Sequence, residues 1–309
     1  MIKKETIQRL LKDVKQLIRH PLTDNGIYYY HDDTNMTKGY AMVIGPSDTP
    51  YFGGYYFFKF DYPFDYPFSP PKVTYMTNDG VTRFNPNLYK CGKVCISILN
   101  TWVGDKWSSC QTINSILLTL CSLLNNAPLE NEPGHNKNSK DFIPYQKSIE
   151  FKNIDFAICD IINRNKNNIL DQFLNFYPFM KTHFINNYDK LLEYIKSKNT
   201  NISFETVAIY QMYITIDYAT LEQKLIKTKE IIDSEKCEEE MNDGTSSELS
   251  TTTTSSNNQK KSETNGHIKL TIHEKCEEEM NDGTSSELST TTTSSNNSVD
   301  SENVEHFKI

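Results

Sequence analysis

The segment RFNPNLYKCGKVCISIL, residues 83–99, contains the residues of this chain that are best suited to chemistry. Two cysteines, Cys91 and Cys95, are separated by three residues and follow the turn-forming triplet NPN. A cysteine can serve as a nucleophile, a metal ligand or a redox partner, and a buried thiol can also simply fill space. The rest of the sequence must decide among these four roles.

A metal site and a redox pair both fit the cysteine spacing poorly. A redox pair normally shows C-x-x-C at the start of a helix, and this pattern is absent. A zinc site lacks a second close-spaced ligand pair, and one of its ligands would lie on the apolar stripe of a predicted helix. That site would use Cys91, Cys95, Cys110 and Cys121. We therefore expect no bound metal.

A cysteine hydrolase needs a histidine base beside its nucleophile. No sequence context brings a histidine next to Cys95, although distance along the chain leaves the question open; the histidines concerned are His20, His31 and His135. The plainest interpretation of a free cysteine is a small hydrophobic side chain. We apply it to Cys110, Cys121 and Cys159.

Composition limits the classes of function. The 309 residues carry a net charge of −8 and contain no dense Lys/Arg block, which argues against binding to a nucleic acid backbone. No apolar stretch has the length of a membrane span, and the N-terminus lacks a signal-peptide pattern. The seven cysteines are irregularly spaced. We expect a soluble protein without disulfides, located inside the cell in the cytoplasm, the nucleus or both, with no membrane partner.

The chain divides into a folding part and a tail. Residues 234–309 are almost devoid of aliphatic and aromatic residues, and the 24-residue unit EKCEEEMNDGTSSELSTTTTSSNN occurs there twice, at 235–258 and 274–297. A repeat of Ser, Thr, Asn and Glu offers almost no apolar face on which copies could stack. We predict that 234–309 is a disordered tail.

Hydrophobic periodicity predicts an α+β fold. A helical stripe comes first and ends at His20-Pro21, and strand-length apolar runs follow at about 27–31, 39–44, 55–61 and 72–76. Short connections between them predict a four-stranded antiparallel meander. The stripe of the first helix consists of Ile7, Leu10, Leu11, Val14, Leu17 and Ile18.

Helices are predicted to follow the sheet. Ser108 or Ser109 could cap a helix that packs on the sheet through Ile113, Leu117, Leu120, Cys121 and Leu124. Further helices are predicted at 142–163, 168–197 and 203–233, with Pro178 breaking the second of these. The proline-rich segment DYPFDYPFSPPK, residues 61–72, suits a departing sheet edge, and its Tyr66-Pro67 bond is a candidate cis peptide.

Several motifs in fixed order resemble those of the ubiquitin-conjugating enzymes. The stretch GPSDTPYFGGYYFFKFDYPFDYPFSPPKV is similar to the G-P-x-x-x-P-Y-x-G-G and Y-P-F-x-P-P-K motifs of that family, and NPN, GKVCISIL, W-S and SLL continue the match. The resemblance implies a catalytic core over 1–141 with a UBC-like fold: a first helix, the meander, an active-site loop and further helices.

The resemblance also implies residue roles. Cys95 matches the thiol that accepts the C-terminus of ubiquitin as a thioester, and Asn87 matches an amide that holds the active-site loop or stabilises an oxyanion. The alternative is that Asn87 only organises a turn. A carboxylate or hydroxyl follows the second helix in the family, and the matching loop NAPLENEPG offers Glu132 first and Asn131 second. Glu132 could equally be an ordinary exposed acid.

Departures from the family pattern point to one of its branches. Asn85 replaces the usual His of H-P-N, Ser97 stands where many members have Asp, and Ser109 replaces a Pro. The first two resemble the branch of larger conjugating enzymes, which implies a helical extension over 142–233. A ligase-binding surface is implied at Phe68, Ser108, Ser109 and Cys110, and an activating-enzyme contact at Lys3, Lys4 and Arg9.

The resemblance implies a carrier of activated acyl groups. We expect ubiquitin, or a ubiquitin-like protein, to pass from an activating enzyme to Cys95 and then to a substrate lysine, with or without a ligase. ATP would be consumed upstream and no cofactor would be bound. The turns around Cys95 are expected to leave its thiol exposed in a shallow groove, with Cys91 incidental. The alternatives are a catalytically silent ubiquitin-binding variant that acts as an adaptor, and a plain structural domain in which Cys95 is packing.

Overall fold

A four-stranded antiparallel sheet forms the centre of the fold. The computed structural model describes residues 3–163 and 169–245. The strands pair in the order β1-β2-β3-β4, as a simple meander; their bounds are Ile27–His31, Lys38–Ile44, Tyr55–Asp61 and Lys72–Tyr75. The predicted strands and the α+β fold are confirmed.

The first helix, α1, spans Lys4–Arg19, and its buried face is turned slightly from the predicted one. Leu10, Val14 and Leu17 are buried as expected, but Ile18 is 42% exposed. Asp13 is buried instead, because its carboxylate accepts hydrogen bonds from the hydroxyl of Tyr66 and from Nε of Arg9. A polar contact, which apolar periodicity does not reveal, therefore fixes the rotation of α1.

Helix α2, Ile113–Leu123, is capped by Thr112 rather than by Ser108 or Ser109. The Thr112 hydroxyl accepts from the amide of Ser115, and the Ser115 hydroxyl accepts from the amide of Thr112. This reciprocal pair is a capping box, and it satisfies amide groups that would otherwise lack partners. Behind the cap, Ile113, Ile116, Leu117 and Leu120 are buried in the core.

The region after the core begins with a long helical segment. Helix α3, Phe142–Lys152, runs on as a π-helical stretch, Asn153–Asp160. A 3₁₀ segment, Ile169–Phe176, then leads into α4, Tyr177–Lys196. The predicted helices 142–163 and 168–197 are confirmed where the structure describes them. Pro178 was predicted to break the second of these helices. It lies in the first turn of α4, where a residue without an amide proton costs the helix little stability.

The C-terminal region covers one face of the sheet. Phe57 of β3 stacks on Phe173 with ring centroids 4.5 Å apart, and Tyr28 of β1 lies 5.0 Å from Phe179. The hydroxyl of Tyr55 donates to the carbonyl of Met180 at 3.0 Å. Four consecutive residues of β3, Tyr55 to Phe58, are fully buried as a result. Such continuous burial is typical of a strand covered on both faces.

The predicted helix over 203–233 is wrong in its first half. Ser203–Val207 and Met212–Ile216 form an antiparallel hairpin, β5 and β6, joined by a 3₁₀ turn at Ala208–Tyr210. Burial alternates along β6, as expected for strands with one face on the core. Helix α5, Tyr218–Thr245, follows and continues past the predicted start of the tail at 234. The rest of that tail lies outside the described residues.

Candidate functional site

Backbone hydrogen bonds pin the cysteine-containing loop to the edge of the sheet. The amide of Tyr75, in β4, donates to the carbonyl of Gly92 at 2.8 Å, and the amide of Tyr89 donates to the carbonyl of Lys93 at 2.9 Å. Gly92 has φ +86°, and a Cβ there would lie 3.1 Å from the Tyr75 carbonyl oxygen. A glycine is therefore required at this position for the loop to approach β4 so closely.

The side chain of Asn85 organises the NPN turn from inside the protein. Asn85 is fully buried and donates from Nδ2 to the hydroxyl of Tyr51 at 3.0 Å and to the carbonyl of Leu123 at 2.8 Å. Its Oδ1 accepts from the amide of Asn87 at 3.0 Å. A buried amide with donors and acceptor all paired is a strong local constraint. Asn85 thus ties the turn to the end of α2.

Asn87 and Cys95 are joined by two hydrogen bonds. The amide of Cys95 donates to the carbonyl of Asn87 at 2.8 Å, and Nδ2 of Asn87 donates back to the carbonyl of Cys95 at 2.7 Å. The side-chain amide thus lies at the cysteine and holds its backbone. This geometry supports a role for Asn87 in holding the active-site loop, rather than only in forming a turn.

Cys95 is buried, with only 3% of its surface exposed, and the expectation of an open thiol is wrong for this conformation. Its Sγ lies 2.9 Å from the carbonyl oxygen of Thr101, to which the thiol donates. The chain turns back over the cysteine through a 3₁₀ turn, Ser97–Leu99, and a left-handed residue, Asn100. The cover is therefore local: one turn of backbone next to the cysteine.

Thr101 holds this turn closed through its hydroxyl. Oγ1 accepts from the amide of Ile96 at 3.0 Å and lies 2.8 Å from the carbonyl of Val94, within donating distance. Thr101 and the residues that follow it, 102–106, are all exposed, and Trp107 then returns to the core. We call residues 96–101 the cysteine strap. The hydrogen bonds of the Thr101 hydroxyl, which we call the latch, hold the strap closed, and an exposed loop follows it.

The loop after α2 approaches the same turn, but both predicted side chains in it already have partners. Asn131 donates from Nδ2 to the carbonyl of Leu123 at 3.0 Å and accepts at Oδ1 from Asn125 at 2.8 Å. Its Nδ2 also lies 3.5 Å from Oδ1 of Asn85. The half-buried Glu132 accepts at Oε2 from the hydroxyl of Tyr210 at 2.7 Å. Glu132 is therefore a positioned carboxylate and not a free loop acid.

The other four cysteines whose side chains the structure describes lie in different environments. Cys91 is exposed, and so is Cys110, whose predicted role as core packing is wrong because it lies on the surface segment before the Thr112 cap. Cys121 is half-buried. Cys159 is buried, and desolvation raises the pKa of its thiol to about 12. Within the described residues, no cluster of three or more His, Cys, Asp or Glu side chains could hold a metal ion.

The residues implied for a ligase-binding surface lie on two neighbouring exposed segments. Phe68 is 72% exposed, and its loop is joined to the Ser108–Cys110 segment because Nε1 of Trp107 donates to the carbonyl of Pro67 at 2.7 Å. The Tyr66-Pro67 peptide bond is cis, as predicted. Ser108, Ser109 and Cys110 are exposed beside this contact.

The cations implied for the activating-enzyme contact are not equivalent. Lys3 and Lys4 are exposed, whereas the guanidinium of Arg9 binds within the domain. Arg9 donates from Nη1 to the carbonyl of Ser109 at 2.6 Å and forms an ion pair with Asp13 at 2.9 Å. Arg9 thus holds α1 against the segment that carries the exposed serines.

Sequence reasoning missed Thr101 and Tyr210. Thr101 could not be identified because no neighbouring residue indicates that its hydroxyl bonds to the backbone of Val94 and Ile96. Tyr210 was assigned to a helix, although the alternation of Met212, Ile214 and Ile216 indicates a strand immediately after it.

Similarity to known proteins agrees with the fold. The family described as ubiquitin-conjugating enzyme matches residues 9–154. Ubiquitin-conjugating enzyme E2 Z of Xenopus tropicalis is 38% identical over 161 residues, which is 51% of this chain and 51% of the relative. The human and Danio rerio proteins of the same name are also 38% identical, and the match covers 45% and 48% of their lengths.

The chain therefore spans about half the length of the curated relatives it matches. Within the described residues, no helix is both long and apolar enough to cross a membrane. The matched segment contains the sheet, the NPN turn, Cys95 and the Glu132 loop. Residues 9–154, which carry the four-stranded meander, the NPN turn and the helices that follow, match the ubiquitin-conjugating enzyme family and form a UBC domain.

Proposed function

We propose that this protein is a ubiquitin-conjugating enzyme, an acyltransferase that carries ubiquitin or a ubiquitin-like protein on Cys95. The observation that carries the proposal is the two-way hydrogen bonding between Asn87 and Cys95, inside the segment that matches the family. Cys91, four positions earlier, has no such side-chain bond to its backbone among the hydrogen bonds of the described residues.

The proposed reaction has two steps. The thiolate of Cys95 attacks the thioester carbonyl carbon on the activating enzyme, the new thioester forms, and the activating enzyme's thiolate leaves. A neutral substrate amine then attacks the Cys95 thioester, an amide bond forms, and the Cys95 thiolate leaves while the amine loses a proton. The ATP that drives the sequence is consumed upstream, when the modifier is first activated.

Asn87 supports both steps by fixing the backbone that bears the thiol. The amide nitrogen holds the Cys95 carbonyl, so the backbone at the thiol keeps one orientation as the acyl group arrives and leaves. In this proposal the second N–H of the same amide group donates to the developing oxyanion. In other acyl-transfer sites one such donor is worth about 10² to 10³ in rate.

Glu132 is the proposed aid to the attacking lysine. A free lysine has a pKa near ~10.4, so at neutral pH the amine must lose a proton before it can attack. A carboxylate at the mouth of the site can accept that proton or favour the amine's approach. Glu132 is fixed by its bond from Tyr210, which gives the carboxylate a defined position.

Charging requires the cysteine strap to open. In the closed form Sγ faces the carbonyl of Thr101, so the incoming thioester has no path to the sulfur. The contact is a single hydrogen bond from a thiol, and the loop beyond Thr101 is exposed. Displacement of the strap, which breaks this bond and the Thr101 latch, would free the sulfur. We propose that a partner or thermal motion supplies this opening.

The proposed partners are ubiquitin or a ubiquitin-like protein, an activating enzyme, a ligase and protein substrates. The exposed Lys3, just before α1, and Lys4, its first residue, are the cations that we propose for the activating enzyme. Arg9 would contribute mainly by holding α1 in place. The exposed Phe68 and the serines on the neighbouring segment form the proposed ligase surface.

A charging assay tests the proposal. The full chain is incubated with activating enzyme, ATP and ubiquitin, and a reductant-sensitive adduct is the expected product. Cys95→Ser should give a reductant-resistant oxyester, whereas Cys91→Ser, the matched control, should charge normally. A requirement for Cys91 would refute the site, and absence of any adduct on the wild type would favour a non-catalytic, ubiquitin-binding adaptor.

A further inference from the structure

The turn between β5 and β6 is held in a fixed place against the UBC core. The buried carboxylate of Asp141 accepts from the amides of Ala208 and Ile209, each at 3.2 Å. The ring of the next residue, Tyr210, packs against Tyr145 with centroids 5.4 Å apart. A capped turn and an aromatic contact leave Tyr210 little freedom. Its side chain can therefore act as a rigid contact from the C-terminal region.

Tyr210 makes two contacts with the candidate site. Its hydroxyl donates to Oε2 of Glu132 at 2.7 Å. Its ring lies 5.2 Å from the guanidinium carbon of Arg83, which also lies 3.4 Å from the ring centroid of Tyr89. Arg83 is thus held by aromatic rings that belong to two different parts of the chain.

Arg83 passes this restraint to the NPN turn. Its Nε donates to the carbonyl of Asn85 at 3.1 Å, and its Nη2 donates to the carbonyl of Pro86. The next residue is Asn87, whose side chain holds the Cys95 carbonyl. A continuous set of contacts therefore runs from the C-terminal hairpin to the cysteine.

We propose that Tyr210 is a positioning residue of the active site, which orients the Glu132 carboxylate through its hydroxyl and steadies Arg83 beneath the NPN turn through its ring. The inference rests on the proposed function and adds to it, because it makes the C-terminal hairpin a part of the catalytic unit. The two contacts can be separated by mutation, since Tyr210→Phe removes the hydroxyl and keeps the ring.

The hydroxyl contact predicts a defect specific to lysine. In Tyr210→Phe, charging by the activating enzyme should stay within about twofold of wild type. Discharge of the thioester to free lysine at pH 7 should slow about tenfold, as expected when a proton-accepting group loses its orientation. Discharge to hydroxylamine, which is already a neutral nucleophile at this pH, should not change.

The pH dependence separates positioning from a structural role. As pH rises towards the lysine pKa of ~10.4, the amine deprotonates without help, so the ratio of wild-type to Tyr210→Phe rates should fall towards one. Glu132→Gln should show the same lysine-specific defect. The double variant should be no slower than Glu132→Gln alone, because both changes remove one interaction.

Tyr213→Phe is the matched control, since Tyr213 lies on β6 of the same hairpin and is 73% exposed. This variant should discharge like wild type to both nucleophiles. Equal slowing towards lysine and hydroxylamine in Tyr210→Phe, or no slowing at all, would overturn the positioning role. Failure of wild type to charge would overturn the proposed function itself, and the role of Tyr210 with it.

Discussion

The latch on Cys95 can be weakened without removing the thiol. Thr101→Val keeps the shape of the side chain and deletes the hydroxyl that closes the cysteine strap. The hydroxyl accepts one hydrogen bond, from the amide of Ile96, and donates one, towards the carbonyl of Val94. At a net ~1 kcal/mol each, their loss should ease opening of the strap by about 1–2 kcal/mol.

Reaction of Cys95 with iodoacetamide measures the opening directly. If the sulfur reacts only when the strap is open, 1–2 kcal/mol corresponds to an alkylation rate about 5 to 30 times higher in Thr101→Val. Site-resolved mass spectrometry follows Cys95 and the exposed Cys91 in one experiment. The Cys91 rate should be the same in both proteins, so it serves as an internal reference.

A second variant controls for general loosening of the domain. Thr119→Val removes a hydroxyl that donates to the carbonyl of Ser115 inside α2, away from the strap. It should leave the alkylation rate of Cys95 unchanged. The reasoning is refuted if Cys95 in the wild type reacts as fast as Cys91, or if Thr101→Val and Thr119→Val give the same rate.

Two further predictions concern stability. Burial lowers the pKa of His31, so between pH 7.5 and 5.5 the unfolded chain, with a His pKa of ~6.5, takes up more of a proton at this ring than the folded state does. The free energy of unfolding should therefore fall over this pH range, by at most about 1.4 kcal/mol from this group, and it should fall less in His31→Gln. Urea titrations at both pH values would show the difference. An unchanged pH dependence in His31→Gln would contradict this. Phe173→Ala should lower the free energy of unfolding in urea by about 3–5 kcal/mol, because it leaves a cavity against Phe57. Leu174→Ala, at a half-exposed position, should lower it far less. Similar losses of stability in the two variants would show that the contact with the sheet contributes little.

The sequence predicted the core of the fold well because its signals there are local. The strands of the meander have strong aromatic runs between glycine and proline turns, and their bounds agree with the structure to within a residue. The hairpin at 203–216 was misassigned because short strands beside long helical patterns are easily absorbed into them. Period-two burial of Met212, Ile214 and Ile216 carried the correct signal.

The sequence nominated residues for the candidate site but did not indicate how they are buried or hydrogen-bonded. Motif order was enough to select Asn87, Cys95 and Glu132, and the structure gives each of them a defined hydrogen-bond partner. The burial of Cys95 depends on Thr101 folding back over it, and the orientation of Glu132 depends on Tyr210, which is distant in the sequence. Contacts of this kind arise from tertiary packing, so residue spacing does not reveal them.

Because the C-terminal region covers one face of the central sheet, a fragment of this protein must include that region to fold stably. A chain cut after the helical segment that ends near residue 162 would lose Phe173, Phe179 and Met180. The aromatic rings of Tyr28 and Phe57 would then be exposed to water as a hydrophobic patch. A protein trimmed to its family-matched segment should therefore aggregate, whereas in the whole chain Phe57 is fully buried and Tyr28 is half-buried.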